Sequence, residues 1–533
     1  MPEERDHPGG IEFAPGAGGG LFMKIGLAQI NITVGDLEGN LARSVAAVEK
    51  AAGQGADLVV LPEMTVPGYP PRDILFDSSF VEAVYQATAD LARQLKDLPP
   101  VIAGSLVPGD HQPYEHPGLY NAAVLLRGGE VEFLAAKRLL PGYDVFYEPR
   151  WFLPGPPSAP FELGGKKIGV IVCEDMWDEG YPVHPGAELF EAGAELLVCI
   201  SASPYRRKVI DNRLHHARRQ GGAMVYVNLC GATDELIFDG QSFALNAKGE
   251  VIAQLAAFEE EARVIDLDRD PGKKERVQMT EEEEVFQALS LGLREFVNKN
   301  GLKRAFLGLS GGIDSALVAA IAADAIGPEN VTGVAIPSRY SDERSTSSAK
   351  QLAENLGIGF ETVPLEGIHQ AAEEALGGLL EGGTTAENVQ ARLRAMILMS
   401  FVNSHGGLLL NTSNKTELSL GYSTLYGDMA GGICPIADLT KPQVFQLAKW
   451  VNRSREIIPS FILERPPSAE LKEDQVDPFD YPVISPQVEA LVLANQSSAA
   501  MRISEHKRWQ FGVILKVSEK AFGSGRMIPI TRR

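Results

Sequence analysis

The chain has 533 residues, 44% hydrophobic and 22% charged, the balance of a globular protein too long for one ordinary core. A formal charge of −21 with no basic run argues against nucleic-acid binding, and no apolar run reaches membrane-spanning length. The four cysteines, Cys173, Cys199, Cys230 and Cys434, lack any C-x-x-C spacing, which argues against a disulfide framework or a zinc site and fits a reducing cytoplasm. Residues 1–22, acidic and rich in glycine and proline, read as a flexible extension rather than a secretory signal, with order beginning at Met23. From Lys24 to about Asp268 the strand candidates are KIGLAQI, ADLVVLPE, VIAGSLV, NAAVLLR, KIGVIVCED, AELLVCISAS and MVYVNLC. Helical periodicity is clearest in NLARSVAAVEKAAGQG and VIDNRLHHARRQG, so 23–270 reads as a layered α/β domain with a mixed sheet.

A charged segment broken at Pro271–Gly272 follows, and 271–279 is taken as a linker. The acidic run Glu281–Glu284 opens a helix, where negative charge complements the N-terminal dipole. Over 280–533 the pattern becomes strand–helix: RAFLGLS before an Ala-rich helix, VTGVAIP before SDERSTSSAKQLAENLG, and AENVQARLRAMILMSFVNSHG before GLLLNTSN. That is a parallel, doubly wound, Rossmann-like pattern.

The stretch GLSGGIDS, spanning Gly308, Leu309, Ser310, Gly311, Gly312, Ile313, Asp314 and Ser315, lies between a strand and a helix N-terminus, where free N–H groups and the dipole favour phosphate. It lacks the lysine of a Walker-type loop. Asp314 would repel phosphate directly, so its place there suits a Mg²⁺ ligand. This segment closely resembles the pyrophosphate-binding loop of the N-type ATP pyrophosphatases, which cut ATP between the α and β phosphates. Downstream, ENVQARLRAMILMSFVN, NTSNKTELSLGYSTLYGDMAGGICPIADLTKPQVFQLAKW, RPPSAELKEDQVDPFDYP and HKRWQFGVILKVSEKAFGSGRMIPIT resemble NAD synthetases. The resemblance implies that Thr412 contacts ATP, that Glu417 joins Asp314 at Mg²⁺, and that Asn388, Glu417 and Lys507 meet deamido-NAD. Asp428 and Asp438 would face the substrate. ARLRAMILMSF is otherwise a core stripe, with Asn388 and Arg392 as its functional candidates.

In the first half, Glu63 ends a strand in LPE, Lys137 sits in AAKRLLPGYDVFYE, and Cys173 closes a strand before an acidic turn in CEDMW. A thiol nucleophile needs a base and a group to hold an oxyanion. The three residues resemble the Glu–Lys–Cys triad of the carbon–nitrogen hydrolase (nitrilase) superfamily, with an α-β-β-α sandwich fold. The resemblance implies that Glu63 is the base, Lys137 the oxyanion holder and Cys173 the thioester-forming nucleophile, with Glu148 as the additional glutamate. Similarity to the glutaminase domains of glutamine-dependent NAD synthetases implies that Tyr143 and Ser203 bind glutamine, with Lys208 or Arg207 at its carboxylate. Cys199 and Cys230, inside apolar strands, read as core.

Together these resemblances imply an enzyme that takes ammonia from glutamine, adenylates deamido-NAD with ATP and forms NAD, with an enclosed route for ammonia and assembly as a homo-oligomer. Two rival readings differ in class. One is an amide hydrolase with a regulatory or oligomerising nucleotide-binding domain; the other is a different ATP pyrophosphatase amidotransferase.

Overall fold

The structure is a computed structural model and describes residues 23–267, 278–380 and 383–523. The extension at 1–22 and residues 271–277 of the linker lie outside the described residues, as do residues 524–533. The first half runs β1 (Lys24–Gln29), α1 (Leu37–Gly53), β2 (Leu58–Val60), α2 (Ser78–Gln94), β3 (Val101–Pro108), β4 (Leu119–Arg127), β5 (Glu130–Ala136), β6 (Phe161–Leu163), β7 (Lys166–Val172), α3 (Pro185–Glu191), β8 (Leu196–Ser201), α4 (Val209–Arg219), β9 (Ala223–Asn228), β10 (Cys230–Thr233), β11 (Leu236–Asp239), β12 (Phe243–Leu245), β13 (Val251–Gln254) and β14 (Glu261–Asp266).

Among the described residues, two six-stranded sheets form, ordered β14-β1-β2-β3-β4-β5 and β13-β12-β9-β8-β7-β6. In each sheet three central strands are parallel (β1, β2, β3 and β7, β8, β9) and the flanking pairs are antiparallel. The inner faces meet through Ile25, Leu58, Val60, Ile102, Val170 and Val198. The outer faces bury Val48 and Leu91 of α1 and α2, and Leu189 and Leu214 of α3 and α4. This is the α-β-β-α sandwich. It brings the carboxyl ends of β2, β7 and β8 to one rim, where parallel sheets commonly hold ligands. Gly104 on β3 keeps that rim tight: a Cβ there would lie 2.1 Å from the Met64 nitrogen and 2.7 Å from the Glu63 Cα.

The second half runs α5 (Glu281–Lys299), β15 (Ala305–Gly308), α6 (Ile313–Ile326), β16 (Val331–Ala335), α7 (Glu343–Leu356), β17 (Gly359–Thr362), α8 (Glu366–Leu376), α9 (Gly383–His405), β18 (Leu408–Leu409), α10 (Lys415–Leu420), β19 (Ile433–Cys434), α11 (Lys441–Val451), α12 (Ser460–Glu464), α13 (Tyr481–Leu493), α14 (Ala499–Ser504) and β20 (Val513–Ile514). Its four-stranded parallel sheet has the order β17-β16-β15-β18, so the chain reverses direction across the sheet at β15, beside the phosphate loop. In helix α9, Ala391, Ala395 and Ile397 are buried and Leu393, Leu398 and Phe401 pack against the cluster that contains Ile397, whereas Met396 and Met399 are exposed.

The halves share one apolar core. Tyr205, Ile237 and Phe258 of the first pack in the same cluster as Val285, Leu289 and Leu515 of the second. Lys299 at the end of α5 fastens the seam, donating to Asn31 Oδ1 (2.9 Å) and to the carbonyls of Ile32 and Ala232 (both 2.7 Å).

Overpacking at a site with backbone on the far side costs about 1–3 kcal/mol. Gly104→Ala is therefore expected to lower stability by that order in denaturant unfolding. Gly53→Ala, where a Cβ meets only open space, is expected to leave stability unchanged or slightly raised. Equal effects from the two changes would contradict the close approach at Gly104.

Candidate active sites

Glu63 lies three residues beyond β2, Lys137 directly follows β5, and Cys173 directly follows β7. All three are buried. The Lys137 ammonium bridges two carboxylates, donating to Glu63 Oε1 at 3.0 Å and to Glu148 Oε1 at 2.8 Å. Glu63 also accepts from Asn121 Nδ2 (2.6 Å) and from the Ala202 amide (2.7 Å), and the Tyr69 hydroxyl donates to Glu148 (2.8 Å). Burial works against the Lys137 ammonium, but Glu148 and Glu63 outweigh it and hold its pKa well above the ordinary lysine value. For Glu148 burial prevails over Lys137, and its pKa is raised.

Cys173 opens a short 3-10 helix with φ +47°, a conformation unusual for a residue other than glycine and one that concentrates at functional sites. Its sulfur accepts from Ser201 Oγ at 3.2 Å, and Ser201 adjoins Ala202, whose amide holds Glu63. Burial, reinforced by the Glu63 charge, pushes the thiol far above its usual range. The sulfur therefore rests protonated, and a base must take its proton at the moment of attack.

Two carboxylates beside Cys173 were not singled out by sequence. Asp175 accepts the amides of Arg138 and Leu139 (both 2.9 Å) and of Val172 (3.1 Å), tying the segment after Lys137 to the Cys173 turn. Burial raises its pKa to about 6. Glu174 accepts the hydroxyls of Tyr143 (3.0 Å) and Tyr181 (3.0 Å), and burial raises its pKa to about 7. Of the residues expected at glutamine, Tyr143 stands half exposed beside Glu174. Ser203 is buried, its hydroxyl oxygen accepting from Arg213 Nε at 3.2 Å. Arg207 and Lys208 turn to the second half instead. Arg207 pairs with Glu489 at 3.0 Å, and the Lys208 ammonium lies 3.9 Å from Glu281. Cys199 and Cys230 are buried core residues, and all four cysteines are free.

In the second half, Gly308–Ser315 joins β15 to α6. Gly311 sits at φ +77°, and a Cβ there would strike the Ser345 carbonyl at 2.3 Å, so only glycine fits the bend. Gly312 caps α6 without a side-chain cap, which leaves backbone N–H groups at the helix start for an anion. Ser310 and Ser315 face each other with hydroxyl oxygens 3.2 Å apart. Two adjoining cavities flank the loop. One, of about 250 Å³, is lined by Leu309, Ile336, Arg394 and Thr412; the other, of about 160 Å³, by Asp314, Glu417, Lys441 and again Thr412.

Lys441, which sequence reasoning missed, donates to Asp314 Oδ2 at 2.6 Å and to Glu417 Oε1 at 2.9 Å. Asn414, the N-cap of α10, donates to Asp314 Oδ1 at 2.9 Å. Burial raises Glu417 to about 7, with Lys441 acting in the opposite sense. Two carboxylates already spanned by a cation fit a divalent ion that completes its shell with phosphate and water, as Mg²⁺ does. Among the described residues no group of three or more His, Cys, Asp or Glu side chains could enclose a metal by itself.

The residues expected at deamido-NAD gather on the turn after α10. Lys507 donates to the carbonyls of Gly421 (2.8 Å) and Ser423, and Asn388 accepts from the Thr424 hydroxyl at 2.7 Å. Arg392 donates to Leu425 O at 3.1 Å, and Asp428 takes the Thr424 amide at 2.6 Å, with burial raising its pKa to about 6. Asp438 is not at this surface. It is fully buried, accepting the amides of Val517 (2.8 Å) and Ser518 (2.6 Å), and it pairs with Lys415 at 3.1 Å.

A buried thiol centre and an uncapped, carboxylate-flanked phosphate loop on one core define an ATP-dependent enzyme with its own amide-splitting domain. The carbon–nitrogen hydrolase family model matches residues 24–274 and the NAD synthase model residues 285–520. A glutamine-dependent NAD(+) synthetase of Synechocystis sp. is 40% identical over 96% of this chain and 99% of its own, and one of Rhodobacter capsulatus 40% over 96% and 98%. The solved glutamine-dependent NAD+ synthetase of Acinetobacter baumannii, in complex with ADP, is 32% identical, covers 95% of this chain and 98% of its own, and superposes with a TM-score of 0.77. The chain belongs to the glutamine-dependent NAD(+) synthetases, ATP-dependent ligases that use the amide nitrogen of glutamine.

Glu174, held by two tyrosine hydroxyls beside the nucleophile, can receive the α-ammonium of glutamine when ionised. It loses its charge as pH falls through about 7, so the KM for glutamine is expected to rise below that pH. Glu174→Gln is expected to raise KM and flatten its pH dependence; an unchanged profile would remove Glu174 from the binding site.

Proposed function

We propose that Cys173 splits glutamine through a thioester and that the ammonia amidates deamido-NAD adenylated in the second half. The reading is carried by one juxtaposition. A Glu63–Lys137–Cys173 centre and a Ser310–Ser315 loop faced by Asp314, Glu417 and Lys441 stand on a single continuous core.

In the first half, Glu63 takes the Cys173 proton as sulfur attacks the amide carbon, and the Lys137 ammonium donates to the oxyanion. The proton on Glu63 passes to the amide nitrogen, and ammonia leaves the thioester. Water then attacks with Glu63 again as base, releasing glutamate and the thiol. Tyr143, Ser203 and Glu174 orient glutamine; Arg207 or Lys208 serves its carboxylate only after release from Glu489 or Glu281.

In the second half, the cavity bearing Leu309, Arg394 and Thr412 takes the adenosine of ATP, and the α6 N-terminus with Ser310 and Ser315 takes the pyrophosphate. Asp314 and Glu417 would hold Mg²⁺, which would neutralise charge on that leaving group. Lys441 stands beside the loop to pair with phosphate oxygens. The deamido-NAD carboxylate, held near Asn388, Glu417 and Lys507, attacks the α phosphorus and expels pyrophosphate; ammonia then displaces AMP. Deamido-NAD, ATP, glutamine and water thus give NAD, AMP, pyrophosphate and glutamate.

Assembly as a homo-oligomer belongs to the same proposal and rests on the family resemblance. A cytoplasmic setting is supported by four free cysteines. No described helix is long and apolar enough to cross a membrane.

Cys173→Ala is expected to abolish NAD formation from glutamine and to spare formation from ammonium chloride at pH near 8.5, where ammonia is less protonated. Loss of both in a folded protein would contradict the division of labour. Asp314→Ala, by contrast, is expected to abolish NAD formation from either nitrogen source; near-normal synthesis at saturating Mg²⁺ would overturn its assignment.

A further inference from the structure

Two buried hydroxyls stand behind the nucleophile, and the chemistry above does not use them. In the parallel register of β7 and β8, Val172 lies beside Ile200, so the residues that follow, Cys173 and Ser201, come side by side. Ser201 Oγ donates to Cys173 Sγ at 3.2 Å. The same oxygen accepts from the Tyr226 hydroxyl at 3.0 Å, reaching across from β9. Both residues are fully buried. The Tyr226 ring is held in place, stacked on Phe243 of β12 with centroids 4.8 Å apart. The Arg213 guanidinium, paired with Asp239, lies 5.9 Å from the same ring. A phenylalanine would fill this apolar space as well; the buried hydroxyl is accounted for by its partner.

Each hydroxyl carries one proton, which gives the relay a direction. Burial pushes the Tyr226 phenol up, so it stays protonated and donates to Ser201. Ser201, with a lone pair taken, turns its own proton to the sulfur. Among the charges that face the sulfur, Glu63 and Glu148 oppose a thiolate and Lys137 favours one. Lys137 is already shared between those two carboxylates and has the oxyanion to serve. The Ser201 hydroxyl has no such second duty. A hydrogen bond to an ionised acceptor is about twice as strong as a neutral one, and a second hydroxyl behind it polarises it further. The pair therefore holds a thiolate more tightly than the resting thiol, which is the difference that lowers a barrier.

We propose that Ser201 is a further catalytic residue of glutamine hydrolysis and Tyr226 its positioning residue, together stabilising the Cys173 sulfur whenever it carries negative charge. That happens twice in each turnover. In the first half-reaction Glu63 takes the thiol proton and sulfur attacks the amide carbon. In the second, after water has added to the thioester, the carbon–sulfur bond breaks, its electron pair returns to sulfur, and sulfur regains a proton from Glu63. No proton leaves either hydroxyl. The inference rests on Cys173 being the nucleophile, as proposed above.

The test uses the full-length enzyme and compares wild type with Ser201→Ala, with Tyr226→Phe, which keeps the ring on Phe243, and with the double variant. It follows glutamate release from glutamine, alkylation of Cys173 by iodoacetamide at one fixed pH with Cys173→Ala as the blank, and NAD formation from ammonium chloride. Ser201→Ala is expected to lower the kcat of hydrolysis and the alkylation rate by about tenfold or more, the scale of one hydrogen bond to a charged group, with KM within about twofold of wild type. Tyr226→Phe is expected to lower both by a smaller factor of about three. The double variant should be no slower than Ser201→Ala, because Tyr226 acts through Ser201. NAD formation from ammonium chloride should match wild type in all three variants. Wild-type kcat and alkylation in Ser201→Ala overturn the proposal. So do losses that multiply in the double variant, which mark two independent packing contacts, or a raised KM with unchanged kcat, which marks a wall of the substrate pocket. A parallel loss of all activities with a lowered Tm overturns it as well, in favour of a structural role. Glutamine hydrolysis that survives Cys173→Ala would instead sink the functional reading itself.

Discussion

A buried ammonium held between two carboxylates recurs in both halves of the chain. Lys137 spans Glu63 and Glu148, and Lys441 spans Asp314 and Glu417. Desolvating three ionisable groups is costly, and the ammonium at hydrogen-bond distance offsets part of that cost, while burial still raises the pKa of Glu148 and of Glu417. Removing one member leaves uncompensated charge in the interior, so the triads constrain their surroundings. In the first half this fixes the ends of β2 and β5 relative to each other, with Asn121 and the Ala202 amide completing Glu63. In the second it fixes the start of α6 against the starts of α10 and α11. The chemistry of each half is built outward from its lysine.

The seam between the halves combines a shared apolar core with ion pairs such as Arg207–Glu489, so the halves do not behave as beads on a string. Lys299 reinforces it by satisfying two carbonyls and an amide oxygen that the seam would otherwise bury unpaired. This matters for the nitrogen that passes between the sites. Ammonia released into neutral water mostly protonates and stops being a nucleophile.

A layered α/β first half and a parallel second sheet were legible from strand runs ending in LPE, IVCED and AFLGLS, because apolar strands closed by polar turns leave a period-two or continuous signal. The α-β-β-α sandwich itself was implied only by the resemblance to the carbon–nitrogen hydrolases. Strands β10 to β13 were not legible, since they are short, and neither was β14, whose partner β1 lies at the other end of the domain. The loop Gly308–Ser315 and the Glu63, Lys137 and Cys173 positions were legible from residue type in context. Lys441 and Lys415 escaped notice, although both begin helices, where a cation opposes the dipole and needs a partner elsewhere. That misplaced charge is the signal that finds them. Asp438 was expected at the substrate from the family resemblance. Only the fold brings the amides of Val517 and Ser518 onto it from some 80 positions away. The resemblance puts Arg207 or Lys208 at the glutamine carboxylate, and in the structure these two side chains pair with Glu489 and Glu281, far along the chain.

The claim that each lysine triad serves one chemistry is tested most directly at Lys137. NAD formation by the Lys137→Met enzyme would be measured with glutamine and with ammonium chloride as nitrogen source, on protein verified as folded. The expected result is a loss of about 100-fold or more with glutamine, the scale of removing an oxyanion donor, and wild-type rates with ammonium. Equal losses with both nitrogen sources, or undiminished use of glutamine, would contradict the account.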